Sequence, residues 1–186
     1  MKNIITLFAA IIAISSSASG QVNSSNASST AQQNVQLALS NAIEVTFTNN
    51  NSANGSTVSL AFNTADHYAN GVESGEQELK VRSNKNFKIG AKIDLTNFSY
   101  VGNGNISNIV TPSDAFALKI VSNTTGGNTV SAFTNYGNLT TNNQDVILNG
   151  VNGNNQKFSV KYKCNPGWGL PAGTYTFAVV YTATQQ

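Results

Sequence analysis

Large apolar side chains alternate with other residues along most of the chain after residue 34. Successive side chains of a β-strand point to opposite faces, so a period of two predicts strands with one buried face. No amphipathic stretch of helical length follows residue 48. We therefore expect an all-β protein, whose alternating runs are Val35, Leu37, Leu39, Ile43, Val45 and Phe47; Val58, Leu60 and Phe62; Leu79 and Val81; Phe87, Ile89, Ala91 and Ile93; Phe116, Leu118 and Ile120; Val146 and Leu148; Phe158, Val160 and Tyr162; and Tyr175, Phe177, Val179 and Tyr181.

Turn signals separate these runs. Asn and Gly tolerate the positive φ angles of tight hairpins, and Asn-Gly pairs occur at residues 54–55, 70–71, 103–104, 149–150 and 152–153. Many short strands joined by such turns are typical of an antiparallel β-sandwich or a barrel.

The first 20 residues have the form of a secretory signal peptide. Lys2 supplies the positive charge, residues 4–14 are mostly apolar, and Ala18-Ser19-Gly20 is a small-residue cleavage site. A transmembrane helix needs about 20 apolar residues, so the apolar run is too short to span a bilayer, and no longer run follows. We expect a bacterial protein that is secreted, periplasmic or on the cell surface, with no transmembrane segment.

Residues 21–34 contain almost no large apolar side chain and are predicted to be a flexible polar leader. A single β-sandwich domain is predicted for residues 35–186. Val35, Leu37 and Leu39 share the register of the run that follows them, which makes them candidates for strand exchange between subunits. Val35, Leu39 and Ile43 also lie four residues apart, so a helix over residues 31–43 is the alternative.

The charges argue against nucleic acid as a partner. The formal net charge is only +2, charged residues make up 10% of the chain, and Lys and Arg form no cluster that could neutralise several phosphates. Cys164 is the only cysteine, so no disulfide can form within the chain. We expect Cys164 to be a small buried apolar residue and not a reactive thiol, and a dimer linked through this thiol is the alternative.

No set of residues predicts catalysis or a cofactor. His67 is the only histidine, its neighbour Asp66 does not by itself give the geometry of a catalytic triad, and no Gly-x-Ser-x-Gly motif is present. Asp66, Glu73, Glu76 and Glu78 are close in sequence, but their spacing matches no calcium loop. We expect no metal site and predict that these carboxylates face water or pair with Lys80, Arg82 or Lys85.

Three aromatic residues in predicted loops, Tyr68, Tyr136 and Trp168, are candidates for binding. Trp168 lies in a segment rich in Gly and Pro, where it could form an exposed platform for a sugar ring or a partner chain. The same segment could instead turn the ring inward to plug one end of the sandwich, and this second interpretation is favoured.

Two passages resemble secreted bacterial sandwiches of the spore coat protein U type and the pilins of chaperone–usher systems. Residues 79–91, LKVRSNKNFKIGA, have a similar strand, turn and strand, and residues 170–181, LPAGTYTFAVVY, are similar to the closing strand of those proteins. The resemblance implies an immunoglobulin-like, pilin-like antiparallel β-sandwich that accepts a strand from a neighbouring subunit. The paired cysteines of that family are missing here.

These observations predict a non-enzymatic structural or adhesive protein of the cell surface or extracellular space. Its expected partner is a second copy of itself, in an oligomer or a fibre assembled by β-strand addition. The alternative is a module that binds glycans or other surfaces through its loop aromatic residues.

Overall fold

A computed structural model describes residues 28–104 and 112–186. The predicted signal peptide, residues 1–20, and the first part of the predicted leader lie outside the described residues. The chain divides into two compact units, Met1–Ala38 and Leu39–Gln186. Residues 28–42 form neither helix nor strand and are exposed. The strand predicted at residues 35–39 and the alternative helix over residues 31–43 are therefore both wrong. The spacing of apolar residues marks which side chains share a face, but it supplies neither a neighbouring strand nor a surface against which a short helix is stabilised.

The described residues confirm the all-β prediction, and their strands pair antiparallel throughout. The helical elements are short: α1 is Ala65–Asn70, α2 is Pro112–Ala115, and Ser131–Phe133 form a single 3₁₀ turn. The strands are β1 Ile43–Phe47, β2 Val72–Glu73, β3 Gln77–Ser83, β4 Phe87–Ile93, β5 Ser99–Gly102, β6 Phe116–Asn123, β7 Asn128–Thr129, β8 Gly137–Asn138, β9 Gln144–Gly150, β10 Gly153–Cys164, β11 Gly173–Thr176 and β12 Val179–Gln185.

Two larger sheets and one small sheet contain these strands. The first sheet has the order β1-β3-β10-β6-β8, with β2 paired to the end of β10. The second has the order β12-β4-β9-β7, and β11 pairs with β5 in the small third sheet. Strands β1 and β12 are therefore edge strands of different sheets.

The two larger sheets share one hydrophobic core. Their inward side chains follow the predicted alternation except in β9, where Ile147 is buried beside Val146 and the predicted Leu148 is half-buried, because the pairing with β4 shifts register there. Burial of each large side chain stabilises the fold by about 1.5–3 kcal/mol. The first sheet contributes Leu79, Val81, Leu118, Phe158 and Val160, and the second contributes Phe87, Ile89, Ile93, Val146 and Ile147.

Most predicted strands are present. The runs at residues 79–81, 87–93, 116–120, 146–148 and 158–162 all lie in strands. The run at residues 58–62 is different, since it belongs to no strand. The last predicted run, residues 175–181, is also not one strand: β11 and β12 lie in separate sheets.

Side-chain amides join the beginning of β1 to the end of β12. The Gln185 side chain donates hydrogen bonds to Ala42 O at 2.9 Å and to Asn84 Oδ1 at 2.9 Å. Asn84 Oδ1 also accepts from the Ala42 amide, at 2.9 Å. The first and last strands of the larger unit are thus held together at one end.

Among the described residues, no helix is both long enough and apolar enough to cross a membrane.

Candidate binding surfaces

An open groove of about 960 Å³ lies along the edge strands β1 and β12. Val45 and Phe47 of β1 line it, as do Val179 and Tyr181 of β12. The rings of Phe47 and Tyr181 meet edge to face, with their centroids 6.2 Å apart. Further apolar lining comes from Leu79, Phe98, Phe116, Tyr162, Leu170 and Phe177. The groove is thus an apolar surface next to strand edges.

Residues 53–63 form one wall of this groove. Within this wall, Val58, Leu60 and Phe62 are half-buried, whereas Ser59 and Ala61 are exposed. This is the alternation of a strand, and Val58 packs against the core. Yet no backbone hydrogen bond joins residues 57–62 to any other residue of the described chain. We call residues 57–62 the wall segment.

The three strand-exchange candidates are exposed. Val35 and Leu37 are each 80% exposed, and Leu39 is 89% exposed. In an extended chain, alternate side chains point to the same face, so these three residues can form one apolar stripe. Single exposed apolar side chains are common, but an apolar stripe of three is a candidate for burial against a partner.

Trp168 and Tyr68 stack on each other. Their ring centroids are 5.2 Å apart and their planes are inclined by 24°. Tyr68 lies on α1, which Thr64 caps by accepting the amide hydrogen of His67. Trp168 remains 69% exposed. The interpretation of Trp168 as a plug is therefore wrong: one face of the ring packs on Tyr68, and Gly167 and Gly169 bring no side chains to bury the rest.

Tyr68 also connects this pair to the groove. On the wall segment, Phe62 lies with its ring centroid 5.5 Å from that of Tyr68. Three aromatic rings, Phe62, Tyr68 and Trp168, therefore run from the groove wall to the exposed loop. Tyr68 and Trp168 were predicted as candidates, but Phe62 was predicted only as a strand residue, and its sequence carries no signal for this contact.

Tyr136 belongs to a different cluster. Lys163 Nζ lies 5.8 Å from the centroid of its ring, and the same Nζ is 3.9 Å from Glu73 Oε1. Burial raises the pKa of Tyr136 to about 12, with a further contribution from its hydrogen bond to Glu73. Within the described residues, no ring contact joins Tyr136 to Tyr68 or Trp168. The predicted aromatic set is thus divided.

The carboxylates of Asp66, Glu73, Glu76 and Glu78 belong to exposed residues, as one of the two predicted alternatives states, but those that pair do so with other partners than Lys80, Arg82 or Lys85. Glu78 accepts a hydrogen bond from Lys157 at 2.9 Å, which is the main reason that its pKa is lowered. Glu76 accepts from the hydroxyl of Ser159. The predicted cationic partners are wrong because these side chains pair across neighbouring strands. Glu44 lies directly opposite Arg82. Lys157 and Ser159 lie diagonally across from Glu78 and Glu76, within reach of long side chains. Arg82 instead pairs with Glu44, and Lys80 donates to Asn51.

His67 has a local role. Its Nδ1 accepts the amide hydrogen of Asn63 at 3.1 Å. Across residues 28–104 and 112–186, no group of three or more His, Cys, Asp or Glu side chains is arranged to hold a metal ion.

Cys164 lies at the end of β10 and lines the groove. Its side chain is half-buried, and burial raises the pKa of the thiol to about 11. A thiol with so high a pKa is almost entirely protonated at neutral pH and reacts slowly as a nucleophile.

No protein family matches the chain, and no curated protein matches it by sequence. The functional argument therefore rests on the groove, the exposed apolar stripe and the stacked aromatic pair.

Proposed function

We propose that this protein is an exported, non-enzymatic structural subunit with an immunoglobulin-like, pilin-like sandwich that assembles with copies of itself by β-strand addition. The observation that carries the proposal is the apolar groove beside the edge strands β1 and β12. In this mode of recognition, backbone hydrogen bonds along a sheet edge supply affinity, and apolar contacts of alternate side chains supply specificity.

The donor in this proposal is the stripe formed by Val35, Leu37 and Leu39. Five extended residues span roughly 16 Å, at about 3.3 Å per residue. Such a segment can bury three apolar side chains in the groove of a second copy. Each large aliphatic side chain that becomes fully buried contributes about 1.5–3 kcal/mol before the cost of association.

The absence of charge from the donor stripe and from the wall segment supports the proposal. Natural sheets commonly protect exposed edges with Lys, Pro or inward-pointing charges. Between residues 28 and 65 the only charged residue is Glu44, and the three prolines are Pro112, Pro166 and Pro171. Neither the donor stripe nor the wall segment therefore carries a charge or a proline that would oppose pairing.

The test is the mass of residues 21–186, measured by light scattering over a wide concentration range, with electron microscopy of the same samples. We expect oligomers or fibres. A variant carrying Val35→Asp, Leu37→Asp and Leu39→Asp should stay monomeric. Its matched control carries Gln36→Asp, Ala38→Asp and Ser40→Asp, which adds the same charge on the opposite parity and should retain assembly.

Two results would contradict this function. One is a monomer at every concentration that also fails to bind a peptide of residues 33–41. The other is equal loss of assembly in the two triple variants, because the effect would then come from charge and not from the apolar stripe.

A second candidate function is binding of carbohydrate at Trp168. The observation that favours it is the stacking of Trp168 on Tyr68, which holds the indole in place while the ring stays 69% exposed. A large, flat apolar surface held in one orientation binds a partner at low entropic cost. Binding of residues 21–186 to insoluble peptidoglycan, chitin and cellulose, compared with Trp168→Ala, tests this function.

A further inference from the structure

The wall segment has the side-chain pattern of a strand without the hydrogen bonds of one. Val58, Leu60 and Phe62 face inward, and Ser59 and Ala61 face outward. No backbone group of residues 57–62 is paired within the described chain. Backbone N–H and C=O groups are nearly always satisfied in folded proteins, so water must satisfy these groups when the chain is alone.

The neighbouring edge strand is less available. At the groove end of β1, on the side that faces away from β3, the amide of Phe47 already donates to Ser52 O at 2.8 Å. The turn that follows β1 therefore covers part of its outer edge. Among the described parts of the chain that line the groove, the wall segment has the longest run of residues whose backbone N–H and C=O groups make no hydrogen bond while their apolar side chains face the groove.

The segment is also held in position from both ends. A side chain at Gly55 would come within 2.9 Å of the Phe47 ring, so the backbone before the segment lies close against β1. At the other end, Phe62 packs against Tyr68 of α1. A fixed segment with free hydrogen-bonding groups can receive a strand at a lower entropic cost than a loop that must first be ordered.

We propose that the wall segment is a latent edge strand that pairs with the donor stripe, residues 35–39, of a second copy. This inference rests on the proposed function and names the backbone that receives the donor. Val58, Leu60 and Phe62 keep their side chains against the groove. The outward N–H and C=O groups of the segment replace their hydrogen bonds to water with hydrogen bonds to the donor backbone. The small, uncharged side chains of Ser59 and Ala61 leave space for a neighbouring strand.

Proline substitutions test the role of the backbone. Ser59→Pro and Ala61→Pro each remove an N–H group that makes no backbone hydrogen bond in the described chain, so the monomer should keep its melting temperature within a few degrees. Assembly of residues 21–186 should slow at least tenfold, because an incoming strand loses a bond. The matched controls Ser59→Ala and Ala61→Ser retain the N–H group and should assemble as the unmodified chain does.

Hydrogen exchange gives a measurement that needs no substitution. Amides of residues 57–62 should exchange rapidly in the monomer and become protected in the assembled state, to the level of β12. This result decides the question if a proline variant fails to fold. Assemblies in which residues 57–62 stay unprotected would overturn the inference.

The failure of this inference is distinguishable from failure of the proposed function. If the unmodified chain assembles and both proline variants assemble at the same rate, the wall segment is not the receiving edge, while strand addition still stands. If the unmodified chain neither assembles nor binds the peptide of residues 33–41, strand addition fails and the latent strand fails with it.

Discussion

The hydroxyl oxygens of Tyr162 and Tyr181 lie 2.9 Å apart, which joins β10 of the first sheet to β12 of the second by a hydrogen bond. Burial raises the pKa of both hydroxyl groups. Each hydroxyl therefore stays protonated, and each depends on the other as a partner next to the groove.

Removing one of these hydroxyl groups should cost more than removing both. Tyr181→Phe leaves the buried hydroxyl of Tyr162 without its partner, and an unsatisfied buried group costs about 1–3 kcal/mol. The double variant Tyr162→Phe, Tyr181→Phe should be closer to the stability of the unmodified chain. Urea unfolding of the unmodified chain, the two single variants and the double variant measures this coupling. Strictly additive losses in the free energy of unfolding would contradict it.

Stability should fall in alkaline solution through Cys164. The thiol is neutral in the folded chain up to a pKa of about 11, from an ordinary value of 9.0. Above pH 9 the unfolded chain loses this proton while the folded chain keeps it, so the free energy of unfolding decreases from pH 9 to pH 11. Cys164→Ala should reduce this decrease, as measured by thermal unfolding at pH 7, 9 and 10.5.

The same burial predicts slow chemical modification. At pH 8, iodoacetamide should label Cys164 at least tenfold more slowly in the folded chain than in 6 M guanidinium chloride, because the folded thiol is almost fully protonated. Equal labelling rates in the two conditions would show that the thiol is accessible and ionised in the folded state.

Trp168 should matter for binding and little for stability. Because the ring is 69% exposed, Trp168→Ala loses mainly its stacking on Tyr68, worth about 0.5–1.5 kcal/mol. Trp168→Ala should also lose binding to any of the three polysaccharides that the unmodified chain binds. The matched control is Tyr136→Ala, which lies in the separate cluster with Lys163. A loss of more than about 3 kcal/mol for Trp168→Ala would mean that the ring is buried.

The end of β9 should be sensitive to substitution at Asn149. Asn149 has a φ of 57°, a left-handed conformation that Asn tolerates and β-branched residues do not. We expect Asn149→Val to lower the free energy of unfolding by about 1–2 kcal/mol. The control Thr182→Val, at an exposed position in the regular part of β12, should have little effect, since Val suits a strand. Thermal unfolding of both variants checks this difference.

The core could be predicted from the sequence because it depends on a local rule. Phe158 and Val160 are buried since side chains two residues apart share a face, and that rule needs no knowledge of the neighbouring strands. The Asn-Gly pair at residues 149–150 does indicate a positive φ, which Asn149 has, but both residues lie in β9, where its pairing with β4 shifts register, and not in a turn.

Strand pairing could not be predicted in the same way. Val35, Leu37 and Leu39 alternate with polar or small residues as regularly as Val45 and Phe47 do. Yet only Val45 and Phe47 lie in a strand. Alternation states which face is apolar, but a strand also needs a neighbour for its hydrogen bonds, and neighbours are set by the whole topology. The wall segment differs from the predicted strand for the same reason.

The candidate site was partly predictable. Trp168 was identified from its Gly-rich and Pro-rich surroundings, which do not state whether the ring turns inward or outward. Its stacking on Tyr68 joins residues 100 positions apart, and no pattern within either segment encodes that contact. The contact of Phe62 with Tyr68 and the groove itself depend on the arrangement of the edge strands, which no local pattern in the sequence encodes.

The side chain of Gln185 ties the end of β12 to Ala42, immediately before β1. Tension applied between Ala42 and Gln185 would act on neighbouring strand ends. The strand hydrogen bonds would then break one after another from those ends and would not share the load. We expect such a domain to unfold at low force when it is pulled from residues 42 and 185. In a fibre of the proposed kind, tension would instead run from residues 39–43 of one subunit into the groove of the next and bypass this weak direction.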